Sequence, residues 1–247
     1  MLRFLALLSA AVWLTTQAAS AQETRPNVPP GRDPGGVAIA LICNGIDYTL
    51  PAIATRLARD GEGEVIGWDL ESGDNRPFDR SRGATPAQWG GDATALASAI
   101  VTAANVRLVA VRIVATEPVS LARAVAFLAQ TPARIVIVPM ATTDKAEWDQ
   151  FTRAAARFKH LLFVAPASET VEPVYPAALG LDNGIAVAPQ SSGGETLGFG
   201  AARSQLSGSR LALVGMAVAA AAIVAREPRI DVAELKRRLL EGERAGK

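Results

Sequence analysis

Val37-Ala38-Ile39-Ala40-Leu41-Ile42 is an unbroken apolar run that ends at Cys43 and is followed by Asn44-Gly45-Ile46-Asp47-Tyr48. Alternation of apolar and polar residues would mark a strand with one wet face, so an unbroken run of this length marks a strand covered on both sides. Runs of the same kind recur at 65–68, 108–114, 135–138, 161–165 and 185–188. Stretches with helical period separate them, placing helices at 52–59, 93–104, 121–130, 145–158, 211–225 and 232–241. Strands alternating with helices define βαβ units, so the chain is read as α/β, a mainly parallel sheet with helices on both faces in three layers. One domain over 37–247 accommodates all of it.

Outward from this core, residues 22–36 (QETRPNVPPGRDPGG) have no period and are rich in Pro and Gly, as an extended linker is. Ahead of them stand the basic start Met1-Leu2-Arg3, an apolar run from Phe4 to Leu14 and the small-residue site Ala19-Ser20-Ala21. These are the three parts of a secretory signal peptide, 1–21, and predict an exported chain, periplasmic or secreted, that begins at Gln22. Toward the other end, 211–225 is uncharged between Arg210 and Arg226. It is shorter than the ~20 residues of a helical span and reads as a core helix, so no transmembrane segment is expected in the mature chain. Asp231 and Glu234 have capping-box spacing for the last helix.

The 247 residues hold 25 Lys plus Arg against 24 Asp plus Glu, and a balance this even excludes a general binder of nucleic acid or anionic membrane. One Cys and one His exclude a disulfide framework and a zinc cluster. His160, between Lys159 and Leu161 at a helix-to-strand junction, reads as a surface residue at a helix end. Gly61-Glu62-Gly63-Glu64 precedes a strand and is a turn, not a dinucleotide loop. Asp69, Glu71, Asp74 and Asp79 follow the second strand; their spacing matches no compact calcium loop, and a solvated acidic loop is expected.

Taken in order, several segments resemble the subtilisin-like serine peptidases, the subtilases (peptidase S8/S53). Val37 to Tyr48 with Pro51 is similar to that family's first strand and Asp-Thr-Gly turn, and Asp92-Ala93-Thr94 to its His-Gly-Thr helix start. Val106 to Arg112 is similar to the strand that follows it. Ile135 to Ala141 resembles the strand ending in Asn-Met-Ser, and Phe163 to Glu169 the Ala-Gly-Asn strand. Gly208-Ser209-Arg210-Leu211-Ala212 stands where the family has Gly-Thr-Ser-x-Ala ahead of a long Ala-rich helix. The resemblance implies a subtilisin-like three-layer fold. It also implies that Cys43, Asp92 and Arg210 occupy the Asp, His and Ser positions of a degenerate triad, with Glu169 or Ser168 at the oxyanion position. Triad chemistry needs an imidazole beside the nucleophile, and Glu169 would bring the wrong charge to an oxyanion.

The expectation is therefore an exported pseudopeptidase, not an enzyme, with no catalytic residues, metal or cofactor. Its cleft would hold a peptide or protein partner by β-augmentation, and no nucleic acid. Two alternatives stand beside it: an altered hydrolase using Ser209 or Cys43, and an accessory subunit with the cleft closed. Asp92 and Arg210 are expected to form an ion pair. Cys43 is expected to be a buried small apolar residue.

Overall fold

The computed structural model describes residues 26–79, 91–114, 117–168, 170–188, 206 and 208–245, with 91, 92 and 243–245 as backbone only. The expected signal peptide lies outside the described residues. Six strands, β1 (Val37–Cys43), β2 (Trp68–Asp69), β3 (Val106–Arg112), β4 (Ile135–Ile137), β5 (Leu162–Pro166) and β6 (Gly184–Val187), form one sheet in the order β2-β3-β1-β4-β5-β6. Every pairing is parallel. The helices are α1 (Pro51–Ala54), α2 (Gly91–Ala103), α3 (Pro118–Leu128), α4 (Asp149–Arg157), α5 (Ser209–Arg226) and α6 (Val232–Ala245).

The unbroken apolar run is explained by two cores. Ile39, Leu41 and Cys43 of β1 face a cluster built with α1, α2, α5 and α6, while Ala38, Ala40 and Ile42 face a second cluster built with α3 and α4. Successive side chains leave a strand on opposite faces, so a strand between two helical layers must be apolar at every position. The long apolar helix α5 has the length and composition of a membrane span; in this fold half of it is buried, through residues such as Leu213, Ala217 and Ala220.

Three local expectations are corrected. The helix expected over 52–59 is a single turn, because β3 captures the chain after it: Leu108 N–H donates to the Arg56 carbonyl at 2.7 Å and Ala58 N–H to the Leu108 carbonyl at 2.9 Å. The helix expected over 145–158 opens as a 3₁₀ turn, Lys145–Trp148, whose first turn is capped by Asp144 accepting from Ala146 N–H at 2.8 Å. The acidic loop is not solvated throughout, since Asp69 and Asp79 are buried. The described part of the linker is a fastened strap: Tyr48 Oη donates to the Pro26 carbonyl at 2.7 Å, Arg59 Nη2 to the Pro29 carbonyl at 2.6 Å, and Arg107 Nη1 to Asp33 at 2.8 Å.

Candidate functional site

From β1 the chain builds β2 and β3 on one side, then crosses over β1 to place β4 on the other. Connections that part in opposite directions leave a crevice at the carboxyl ends of the strands, where ligands of open α/β sheets bind. Here that point lies between β1 and β4. Cys43, the last residue of β1, is buried at that end of the sheet, and α2 and α5 begin there too.

The exit from β1 is tightly held. Gly45 has φ +113°, and a Cβ on it would fall 2.7 Å from the Asp79 nitrogen and the Phe78 carbonyl carbon, so only glycine fits. Its N–H donates to Cys43 Sγ at 3.4 Å. Two residues on, Asp47 N–H donates to Thr94 Oγ1 in the first turn of α2 at 2.9 Å, and the Asp47 carboxylate accepts from Thr49 N–H at 2.9 Å. Burial pushes the Cys43 thiol up to about 12; Gly45 N–H and Arg112 oppose the rise and Asp79 adds to it. A raised pKa favours the neutral thiol, and Cys43 is buried, as expected of a small apolar residue.

Arg112, the last residue of β3, sits at the same end of the sheet. Its Nη1 donates to both carboxylate oxygens of Asp69 at 3.1 Å, its Nε to the Asn44 carbonyl at 3.0 Å, and its Nη2 pairs with Glu71. Asp69 is fully buried and also accepts from Glu71 N–H at 2.9 Å and Ser72 N–H at 3.0 Å. One guanidinium thus ties together the turns that follow β1 and β2. Sequence reasoning missed this pair by reading Asp69 as part of a solvated loop. The available signal was that Asp69 and Arg112 each end a strand in a parallel sheet, where they pair in register.

The residues expected from the family pattern are placed as follows. Asp92 and Arg210 are the second residues of α2 and α5, two helices that pack on each other. The Asp92 side chain lies outside the described residues, and so does the expected ion pair. Arg210 is half-buried and Ser209 buried. Ser168 is half-buried beyond β5, where its Oγ accepts from Thr170 N–H at 3.1 Å; Glu169 lies outside the described residues. His160 is exposed just before β5, at the opposite end of the sheet from Cys43. Among the described residues, no three His, Cys, Asp or Glu side chains converge as a metal site requires.

The sequence matches no protein-family model and no curated protein. Solved structures do match. A cold-adapted subtilisin-like serine proteinase superposes with a TM-score of 0.56 at 15% identity, over 85% of this chain and 82% of that one. The PatG macrocyclase, solved in complex with a peptide, superposes with a TM-score of 0.52 at 16% identity, over 81% of each chain. The chain has the subtilisin-like fold. The expectation that it is not an enzyme is corrected: both neighbours are named for a reaction, and a shared fold gives no ground for excluding one here.

Proposed function

We propose that this chain is a peptidase-related protein that, once exported, takes an extended segment of a peptide or protein into the crevice between β1 and β4. The observation that carries the reading is the strand order, in which the connections leaving β1 and β4 part in opposite directions, as they do where open α/β sheets bind ligands. Beyond β4, Pro139 and Met140 run on half-buried and Ala141 is exposed, and an added strand pairing with this segment is the mode of binding proposed. Export is supported by the composition of residues 1–21 and predicts that the exported protein begins at Gln22.

The test is a library of labelled octapeptides screened by fluorescence anisotropy against protein isolated from the exported fraction, with mass spectrometry of both protein and recovered peptides. Saturable binding that Ala141→Arg weakens at least tenfold supports the reading. Cut or joined peptides would add turnover to binding. Absence of saturable binding across the library overturns it.

A further inference from the structure

A cavity of about 660 Å³ opens at the amino end of the sheet, away from the crevice. Its walls are the chain entering β1, β3 and β4, the end of α2 and the second half of α5. Ala38, Val218, Ala221 and Ala225 give it a chiefly apolar lining. Sites for small molecules commonly measure about 300–1,000 Å³ and combine such a lining with a few polar groups that fix orientation.

The polar groups here are cations. Among the described residues of the wall, the charged ones are Arg107 and Arg134, and none is acidic. Arg107 stands opposite Ala38 of β1 in the β1–β3 register. Arg134 precedes Ile135, the partner of Ile39, so it stands level with Ala38 on the other side. Neighbouring strands lie about 4.8 Å apart, which sets the two arginine backbones roughly 10 Å apart across β1.

The carboxylates nearest along the chain are engaged elsewhere or cancel only one of these charges. Asp33 pairs with Arg107 at 2.8 Å, Glu227 pairs with Arg238 at 2.5 Å, and Asp231 accepts from Glu234 N–H at 2.8 Å. Arg226 and Arg229, either side of Glu227 and Pro228, are exposed and add the same sign. Arg134 clasps the α5–α6 connection at the cavity's margin through the carbonyls of Pro228 and Ile230, and has no carboxylate partner among the described residues. Arg107 keeps a buried Nε with no hydrogen-bond partner among them. Arg107, Arg134 and Asp33 together leave one positive charge beside an apolar wall.

We propose that this cavity binds a small apolar monoanion, a medium-chain carboxylate in class, with its head between Arg107 and Arg134 and its chain along α5. One negative charge balances the surplus, and a planar carboxylate matches the guanidinium fork. Burial of the chain against the alanines and Val218 supplies the rest of the affinity. The site is separate from the crevice and does not depend on it.

The probes are octanoate, octan-1-ol and octylammonium, which share an apolar body and differ in charge, titrated calorimetrically into the exported protein. Octanoate is expected to bind saturably at one site, at least tenfold more tightly than either of the others. Arg107→Gln and Arg134→Gln should each weaken it roughly fivefold or more. Ala225→Phe, at an exposed position of the wall, should block it. Urea midpoints establish that each variant is folded; if Arg134→Gln is not, Arg107→Gln and Ala225→Phe carry the test. No saturable octanoate binding, equal binding of the three probes, or unchanged octanoate binding by folded Ala225→Phe overturns the proposal. Octanoate binding that survives the arginine variants undiminished overturns it as well, because the charge would then play no part.

Discussion

The two ends of the sheet bury charge in different ways. At the amino end, two arginines are spent on the main chain. Arg59 donates to the carbonyls of Pro29 and Gly63 at 2.6 and 2.7 Å, and Arg134 donates to those of Pro228, at 2.7 Å, and Ile230. These bonds fasten the strap and the α5–α6 connection. At the carboxyl end stand the buried carboxylates of the described residues, Asp47, Asp69 and Asp79. Desolvating a carboxylate costs several kcal/mol unless donors replace its water, so such groups concentrate where the fold supplies donors and where orientation matters. The difference teaches that the amino end is built for closure. The carboxyl end is built around fixed, buried charge.

Arg112→Ala carries the largest expected effect, because it removes the guanidinium that compensates a fully buried Asp69. Breaking a buried pair of this kind costs about 3–5 kcal/mol, read as a shift in the urea midpoint at an unchanged slope. Arg112→Lys keeps the charge but loses the fork that reaches Asp69 and Asn44 together, and should fall between wild type and alanine. A loss below about 1 kcal/mol in the alanine variant would show that the carboxyl end is no more demanding than the amino end.

The second effect is a pH dependence set by Cys43. Its folded pKa, about 12, lies above that of an unfolded thiol, roughly 8.5, so the folded state holds the proton more tightly. The stabilisation is fully present below the unfolded value and is lost as pH rises toward the folded one. Within that window each pH unit removes up to about 1.4 kcal/mol. Cys43→Ala should flatten this part of the stability profile relative to wild type, as read by urea titrations between pH 7 and 10. Equal slopes would place the thiol in contact with water.

What could be read from the chain follows from which forces are local. The unbroken apolar runs revealed a sheet covered on both faces, because burial on both sides leaves no place for a polar residue anywhere along the strand. The one-turn α1 was not legible, since Ala52, Ile53 and Leu57 have ordinary helical spacing and only the pairing of Arg56 and Ala58 with Leu108, some fifty residues away, stops the helix. At the site, the burial of Cys43 was legible from the run it ends. The Arg112–Asp69 pair was not, because it depends on β2 lying next to β3, and strand order is a tertiary fact. The capping box was half legible: Asp231 accepts from Glu234 N–H at 2.8 Å, but the Glu234 carboxylate turns to Arg237 and Arg238, which pull its pKa well below the usual range.

The smallest expected effect belongs to the amino end and completes the contrast. Arg107 and Asp33 form an ion pair at 2.8 Å with about a quarter of each side chain exposed, so water already screens much of their attraction. Arg107→Ala should therefore cost no more than about 1 kcal/mol, well under the loss expected for Arg112→Ala. Burial alone would raise the Asp33 pKa, but the N–H groups of Arg59 and Gly35, and then Arg107, bring it below its ordinary value. A depressed carboxylate pKa gives stabilisation that is present above the unfolded value, near 3.9, and is lost as pH falls through the folded one. The gap between wild type and Asp33→Asn should accordingly be open at neutral pH and narrow in acid. A gap as wide as that for Arg112→Ala, or one that does not narrow, would mean that the strap carries a buried charge of its own and that the two ends follow one rule.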